Sequence, residues 1–438
     1  MNKIIITIAA FVLLAGTTSC KKYLDIEPVG RVIPKTEEDF RALLTAAYGT
    51  FPEHKSLLSV RTDELILDEW ATDYSALRDI YTWKDGSPDP ATFEFPYVAF
   101  YKAIFNANHV IAEIENEAGT TTGTAQLKGE AYLLRAYAHF ELLNLYAKPY
   151  NKATAATDRG VPLSLTIDIE QNYAPSTVEV VYAQILADIE AGRSLLNTAT
   201  FEAGKNYRFT TRAALALLAR VREFRGEWAQ ALDAAKQALA VNNKLEDLNT
   251  STRLPNHYQS VENIMSMESA FNIRAASMIS DHLLGIYDRT NDLRFPLYFS
   301  RSGGDYVSIK GNNDALKISF RNGELYLIQA EASLQTDDIA LARQSLLALK
   351  AKRIKSALYA TEETRINALE KAPLLAEILA ERERELALEG HRWYDLRRYG
   401  QPTLTHETGG NTGTLLVNDP RYTLRFPQSA VANNPNLF

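Results

Sequence analysis

From Thr211 to Val241 the chain spaces its apolar residues as two short amphipathic helices facing each other, and this pattern limits the fold more than any other feature. Ala214, Leu217, Leu218, Val221 and Phe224 advance by three or four along the first helix. Gly226 supplies the turn, and Trp228, Ala231, Leu232, Ala235 and Ala238 form the facing stripe of the second. The small residues Ala231 and Ala238 permit close backbone approach. A unit of this size cannot bury its own apolar faces, so it must stack on others.

A weaker copy runs from Asn322 to Lys352, where Leu325, Ile328 and Ala332 face Ile339, Ala342, Leu346 and Leu349 across Thr336, Asp337 and Asp338. The stretches 127–147 and 178–196 form a third pair, over about 127–196, separated by an insertion containing Pro149, Gly160, Pro162 and Pro175. Earlier helices are expected from Thr36, an N-cap followed by acidic Glu37, Glu38 and Asp39, and over Tyr101 to Glu117. These pairs resemble tetratricopeptide repeats. The expected fold is mainly α, an α-α superhelix of such pairs with irregular insertions at about 50–100 and 250–320. With 438 residues, 46% hydrophobic and 23% charged, the chain can build a long packed core. Its net charge of −7 gives no basic footprint for nucleic acid.

The start of the chain carries an address. Asn2 and Lys3 precede an apolar run from Ile4 to Gly16, then Thr17, Thr18, Ser19 and Cys20. The run is too short to span a membrane and fits a secretory signal over residues 1–19. Cys20 is the only cysteine, which excludes an internal disulfide and any cysteine-based zinc site. Its placement resembles a bacterial lipobox. The mature chain, 20–438, would then begin at an acylated Cys20, with palmitate-type chains anchoring it at about 0.8 kcal/mol per buried methylene.

Near the other end, Leu379 to Tyr399 reads LAERERELALEGHRWYDLRRY, which resembles the C-terminal signature of the SusD/RagB family of outer-membrane nutrient-binding lipoproteins. CKKYLDIEP, YKAIFNANHVI, LKGEAYLLRAYAHFELLNLYAKPY, GELYLIQAEA and YTLRFPQSAVANNPNLF occur in the family's order. The resemblance implies a non-catalytic protein on the cell exterior. It would bind oligosaccharide, or peptide in some members, and deliver it to a SusC-like TonB-dependent β-barrel transporter. Within the signature, Glu381 and Arg384 are expected to attract and Glu381 and Glu385 to repel. Gly390 is expected to end the helix, while Arg392, Arg397 and Arg398 remain available for carboxylates. His391 is expected to cap or pack.

Catalytic motifs are missing: the chain has no G-x-S-x-G elbow, Walker loop or H-E-x-x-H helix, and its seven histidines lack metal-ligand spacing. No cofactor or metal is therefore expected. Carboxylate pairs such as Asp63 with Glu64 and Asp68 with Glu69 are abundant, but abundance is not placement. An envelope adaptor that binds no small ligand and an envelope hydrolase stay open as other classes. Sugars need aromatic faces for their C–H surfaces and polar groups for their hydroxyls. The stretch from Trp70 to Lys84 offers Trp70, Asp73, Tyr74, Arg78, Tyr81 and Trp83, and the second insertion offers Tyr298 and Tyr306. Trp83 and Tyr81 stand first as ligand-binding residues, whereas Trp70 has the strongest case for a place in the core.

Overall fold

The computed structural model describes residues 34–168 and 173–437, so the expected signal over residues 1–19 and Cys20 lie outside the described residues. Thr36 caps the first helix, Glu37–Gly49. Its hydroxyl accepts from the Asp39 N–H and the Asp39 carboxylate accepts from the Thr36 N–H, satisfying two otherwise orphaned donors. The helix Thr122–Tyr146 is buried on nearly every side, because Val98–Ala118 packs on one face and Val178–Leu195 on another. On the second contact Gly129 opposes Gly192, and a Cβ on either would sit 2.9 Å from the other's carbonyl oxygen.

The pair at 211–241 forms as Thr211–Phe224 and Trp228–Val241, with Gly226 at φ +66° in the turn. The pair at 322–352 forms as Asn322–Gln335 and Ile339–Lys350, where Asp338 caps by accepting from the Leu341 N–H at 3.0 Å. Trp228–Val241 packs on Asn322–Gln335, so the pairs stack and bury a shared core. The fold is mainly helical and tetratricopeptide-like, with irregular insertions. The described strands form five antiparallel two-stranded ladders. One joins the two insertions: Leu65–Leu67 pairs with Ser277–Ile279, placing Ile66 opposite Met278. No described helix is long and apolar enough to cross a membrane.

The C-terminal signature departs from expectation in three ways. Its helix, Lys371–Glu385, ends five residues before Gly390. Leu388, at φ +60°, turns its N–H onto the buried Glu64 carboxylate at 2.8 Å, and that bond competes with continuing the helix. Gly390, at φ +78°, instead allows close approach, since a Cβ there would lie 2.5 Å from the Lys55 Cβ. Second, Glu381 and Glu385 are bridged rather than opposed: Arg294 Nη1 lies 2.7 Å from one and 2.9 Å from the other. Third, Arg397 donates to the carbonyls of Asn144 and Ala147 rather than to a carboxylate. Arg392 does pair with Asp63 and Glu383, and Arg398 with Glu331. His391 is buried at the start of the short helix Arg392–Arg398.

Glu385 also accepts from Arg321 and, through both carboxylate oxygens, from Arg353 at 2.8 Å. Burial alone would raise its carboxyl pKa, but Arg353 and Arg321 outweigh burial and hold it well below the usual range. A depressed carboxyl contributes stability above its unfolded value, and that contribution is lost as pH falls through the folded value. Glu385→Gln is expected to cost about 3–5 kcal/mol in urea unfolding at pH 7. The gap to the parent chain should begin to close below the unfolded value of 4.5. A variant with the parent midpoint at pH 7 would refute this role.

Candidate functional site

The strand Leu65–Leu67 alternates buried, exposed, buried, so Ile66 faces out while Leu65 and Leu67 face the core in a defined register. Asp68 then makes an Asx turn, its Oδ1 accepting from the Trp70 N–H at 3.0 Å while its carbonyl accepts from the Ala71 N–H at 3.2 Å. The turn leaves Trp70 87% exposed, the highest value among the exposed large hydrophobic residues. The exposed indole offers a flat apolar face to solvent at this edge of the fold.

Opposite Trp70 stands a hairpin of Leu404–Thr408 and Asn411–Leu415. Its two-residue turn, Gly409 and Gly410, has φ of +50° and +74°, as a type I′ turn demands. A Cβ on Gly409 would come within 2.3 Å of the Tyr74 hydroxyl and 3.1 Å of Glu69 Oε2, so only glycine lets the hairpin close onto this wall. The Tyr74 hydroxyl donates to the Thr408 carbonyl at 3.3 Å, and the Thr408 hydroxyl donates to the Leu67 carbonyl at 3.3 Å.

Between these walls lies an open groove of about 580 Å³, lined by Asp68, Glu69 and Trp70, by Met278 and by the hairpin from Glu407 to Thr412. Asp68, Glu69 and Glu407 form no ion pair within the described chain, and no basic side chain lines the groove. The site offers an aromatic face, a thioether, carboxylate acceptors and the polar side chains of Asn411 and Thr412. That combination suits a neutral polyhydroxylated ligand and repels an anionic one.

The sequence candidates divide sharply. Trp70 lines the groove, Tyr74 braces its wall, and Asp73 is exposed just before the helix Tyr74–Tyr81. Trp83 is fully buried, and Tyr81 and Tyr298 are closed from solvent as well, which corrects their expected place as ligand contacts. Tyr81 and Trp83 sandwich His406, with ring centroids 4.0 and 4.1 Å away, and Trp83 Nε1 donates to the Arg61 carbonyl. Burial lowers the His406 pKa to about 4, so the ring is a neutral filler at ordinary pH. The Tyr298 ring lies 4.1 Å from the Lys310 ammonium. Arg78 is spent on Asp79, at 2.8 Å, and Tyr306 is half-buried between Arg289 and Arg301. Sequence reasoning missed Met278, Glu407, Asn411 and Thr412, and it passed over Asp68 and Glu69 as ordinary surface carboxylates. The adjacent glycines Gly409 and Gly410, between alternating residues, were the available hairpin signal.

One trio of potential metal ligands occurs among the described residues, Asp63, His282 and Glu383. Arg392 already occupies it, with Nη2 2.6 Å from Asp63 and Nη1 2.9 Å from Glu383, so a cation would have to displace a guanidinium. The Glu383 hydrogen bond raises the His282 pKa, with burial opposing.

Stacked helix pairs thus carry an open groove with an outward tryptophan in its lining. The chain belongs to the SusD family. A family model described as starch-binding and associating with the outer membrane matches residues 22–222, and the SusD family model matches 287–436. A curated SusD-like protein of Formosa agariphila is 26% identical over 251 residues, 55% of this chain and 46% of that relative, so the match spans about half of the relative's length. A SusD superfamily structure from Bacteroides thetaiotaomicron superposes with a TM-score of 0.76 at 22% identity, covering 92% of this chain and 98% of the other. A SusD-like carbohydrate-binding protein from Bacteroides vulgatus gives 0.74 at 18%, covering 92% and 98%. A laminarin-binding SusD-like protein gives 0.63 at 18%, covering 83% and 92%. At these identities the structural likenesses establish the fold.

The two tryptophans should respond oppositely to truncation. Trp83→Ala is expected to lose about 3–5 kcal/mol of stability, and Trp70→Ala to stay within about 0.5 kcal/mol of the parent, in thermal unfolding. A strongly destabilised Trp70→Ala would place that ring in the core instead.

Proposed function

We propose that this chain is a cell-surface glycan-binding protein that holds neutral oligosaccharide at the Trp70 groove without chemical change. It then delivers the oligosaccharide to a TonB-dependent outer-membrane transporter. The observation that carries the reading is the exposed Trp70 indole sharing a groove with Asp68, Glu69 and Glu407, which form no ion pair among the described residues. A flat apolar ring covers one face of a pyranose while carboxylates accept from its hydroxyls, and neither interaction requires the protein to change shape. Membership of the SusD family supports the class of ligand, and the laminarin-binding neighbour supports a glucan among the first ligands to test. In the same reading Cys20 carries the lipid that holds the folded domain at the outer membrane, with its groove facing outward.

A panel of neutral, acidic and amino-sugar oligosaccharides, with peptides as the competing class, tests the ligand. Neutral glycans are expected to bind, and Trp70→Ala to weaken the best of them by about tenfold or more, equivalent to about 1.4 kcal/mol. The recovered glycan should keep its length after prolonged incubation. Unchanged affinity in a folded Trp70→Ala chain would defeat the assignment of the groove, and shortened products would make the protein a hydrolase. For the anchor, Cys20→Ala is expected to leave the membrane fraction for the soluble one. Co-purification of the native chain with a large β-barrel protein from detergent-solubilised outer membranes is expected as well.

A further inference from the structure

A second concavity of about 470 Å³ lies where the end of Glu37–Gly49 meets the ladder of Asn263–Ser269 and Lys317–Arg321, and it shares no lining residue with the Trp70 groove. Its volume falls within the range of pockets that take small ligands. Two tyrosines, Tyr207 and Tyr258, line it half-buried, and neither hydroxyl has a hydrogen-bond partner among the described residues. Asn206 is fixed from both sides, its Nδ2 donating to the Tyr258 carbonyl at 2.7 Å and to Asn263 Oδ1 at 3.2 Å. Those bonds leave the Asn206 side-chain oxygen without a donor.

Two opposite charges line the same pocket without pairing. Among the described residues Asp314 is exposed and forms no ion pair, while the Lys317 side chain reaches only Ser269 Oγ, at 3.4 Å. Asp314 lies in a turn and Lys317 begins a strand, and with no ion pair between them an acceptor and a donor stay open to a third party. Met267 adds an apolar patch beside the rings. The pocket therefore combines two tyrosine rings, Tyr258 backed by the stacked His257 ring at 5.0 Å and Tyr207 packed on Tyr48 at 5.4 Å, with open donors and acceptors on a backbone tied by the Tyr258 N–H to Ala315 carbonyl bond of 2.8 Å.

We propose that this pocket is a second carbohydrate subsite, taking one or two hexose units of a neutral oligosaccharide against Tyr207 and Tyr258, with Asp314, Lys317 and Asn206 meeting the hydroxyls. A hexose matches the set because it presents an apolar C–H face together with hydroxyls that both donate and accept. The inference rests on the carbohydrate-binding reading above, and its test separates the two. Isothermal titration of the full chain with maltoheptaose and with laminariheptaose is expected to resolve two kinds of site for at least one of these glucans. Trp70→Ala should remove one of them. The double variant Asp314→Ala with Tyr258→Phe, which removes an exposed carboxylate and one hydroxyl without emptying the core, should weaken the other by about tenfold. Full binding in the double variant, with all binding lost in Trp70→Ala, overturns the second subsite and leaves the Trp70 groove standing. Loss confined to the double variant keeps the pocket and overturns the groove. If neither glucan binds the parent chain, the second subsite is overturned, and the wider glycan panel decides the function.

Discussion

Three arginines from separate stretches converge on the buried carboxylate of Glu385: Arg294 from the second insertion, Arg321 at the end of a strand, and Arg353 after the helix Ile339–Lys350. Each has a further anion, Asp292 and Glu381 for Arg294, Glu389 for Arg321, and Glu262 for Arg353. Such a cluster contributes little net stability compared with an apolar core of equal volume, but it tolerates no missing member. Its effect is to set position. Bidentate geometry fixes angles as well as distances, so the insertion, the second repeat and the C-terminal signature lock into one arrangement. Gly323 shows how tight the arrangement is: a Cβ there would come within 2.4 Å of Arg321 Nη1 and 2.6 Å of Glu385 Oε1.

The groove inherits its geometry from that cluster. Just beyond Glu385 the chain binds Glu64 through the Leu388 N–H, and Arg392 forks onto Asp63 at 2.8 and 2.6 Å. Residues 63 and 64 are thereby pinned immediately before the strand Leu65–Leu67. Because side chains alternate along a strand, pinning its start decides which residue faces the core at its end. From there the Asp68 turn presents Trp70 to water. On the opposite wall, His406 between Tyr81 and Trp83 fixes the base of the hairpin that carries Glu407 and Asn411. A buried ionic cluster and a buried aromatic stack thus position a surface site that contains neither.

The helical pairs were legible because their signal is local. Spacing of three and four, a turn glycine at Gly226 and a cap at Thr36 all act within one or two turns of helix. The signature's chemistry was half legible: the charged residues were visible, but the partner that reconciles Glu381 with Glu385 is Arg294, far away in the second insertion. The tryptophans were inverted for the same reason. Trp83 and Tyr81 looked like loop aromatics among polar neighbours, and the residue that buries them, His406, lies 325 positions from Tyr81. Trp70 resembled a core residue because nothing nearby in sequence reports that the register of Leu65–Leu67 with Ser277–Ile279 turns it outward. Exposure of a large aromatic is a tertiary property, so pattern alone ranks such residues poorly.

Rigid support behind an open groove also bears on how selectively it can bind. The Tyr74 hydroxyl, the glycine turn and the Thr408 bonds brace the walls through contacts within the chain, so a ligand held there would cost little chain entropy. A preformed site of this kind discriminates through what its surface can and cannot satisfy. In the proposed reading Asp68, Glu69 and Glu407 would accept from hydroxyls and oppose carboxylates and sulfates, so ligand charge would be screened before linkage or ring identity. On that reading, linkage selectivity would depend on how successive sugars meet Met278 and Asn411, which line the groove with Trp70. If the groove binds as proposed, variation at Met278, Glu407 and Asn411 would alter specificity without touching the Glu385 cluster, because none of the three belongs to it. The fold thereby separates the residues that must stay from those that can change.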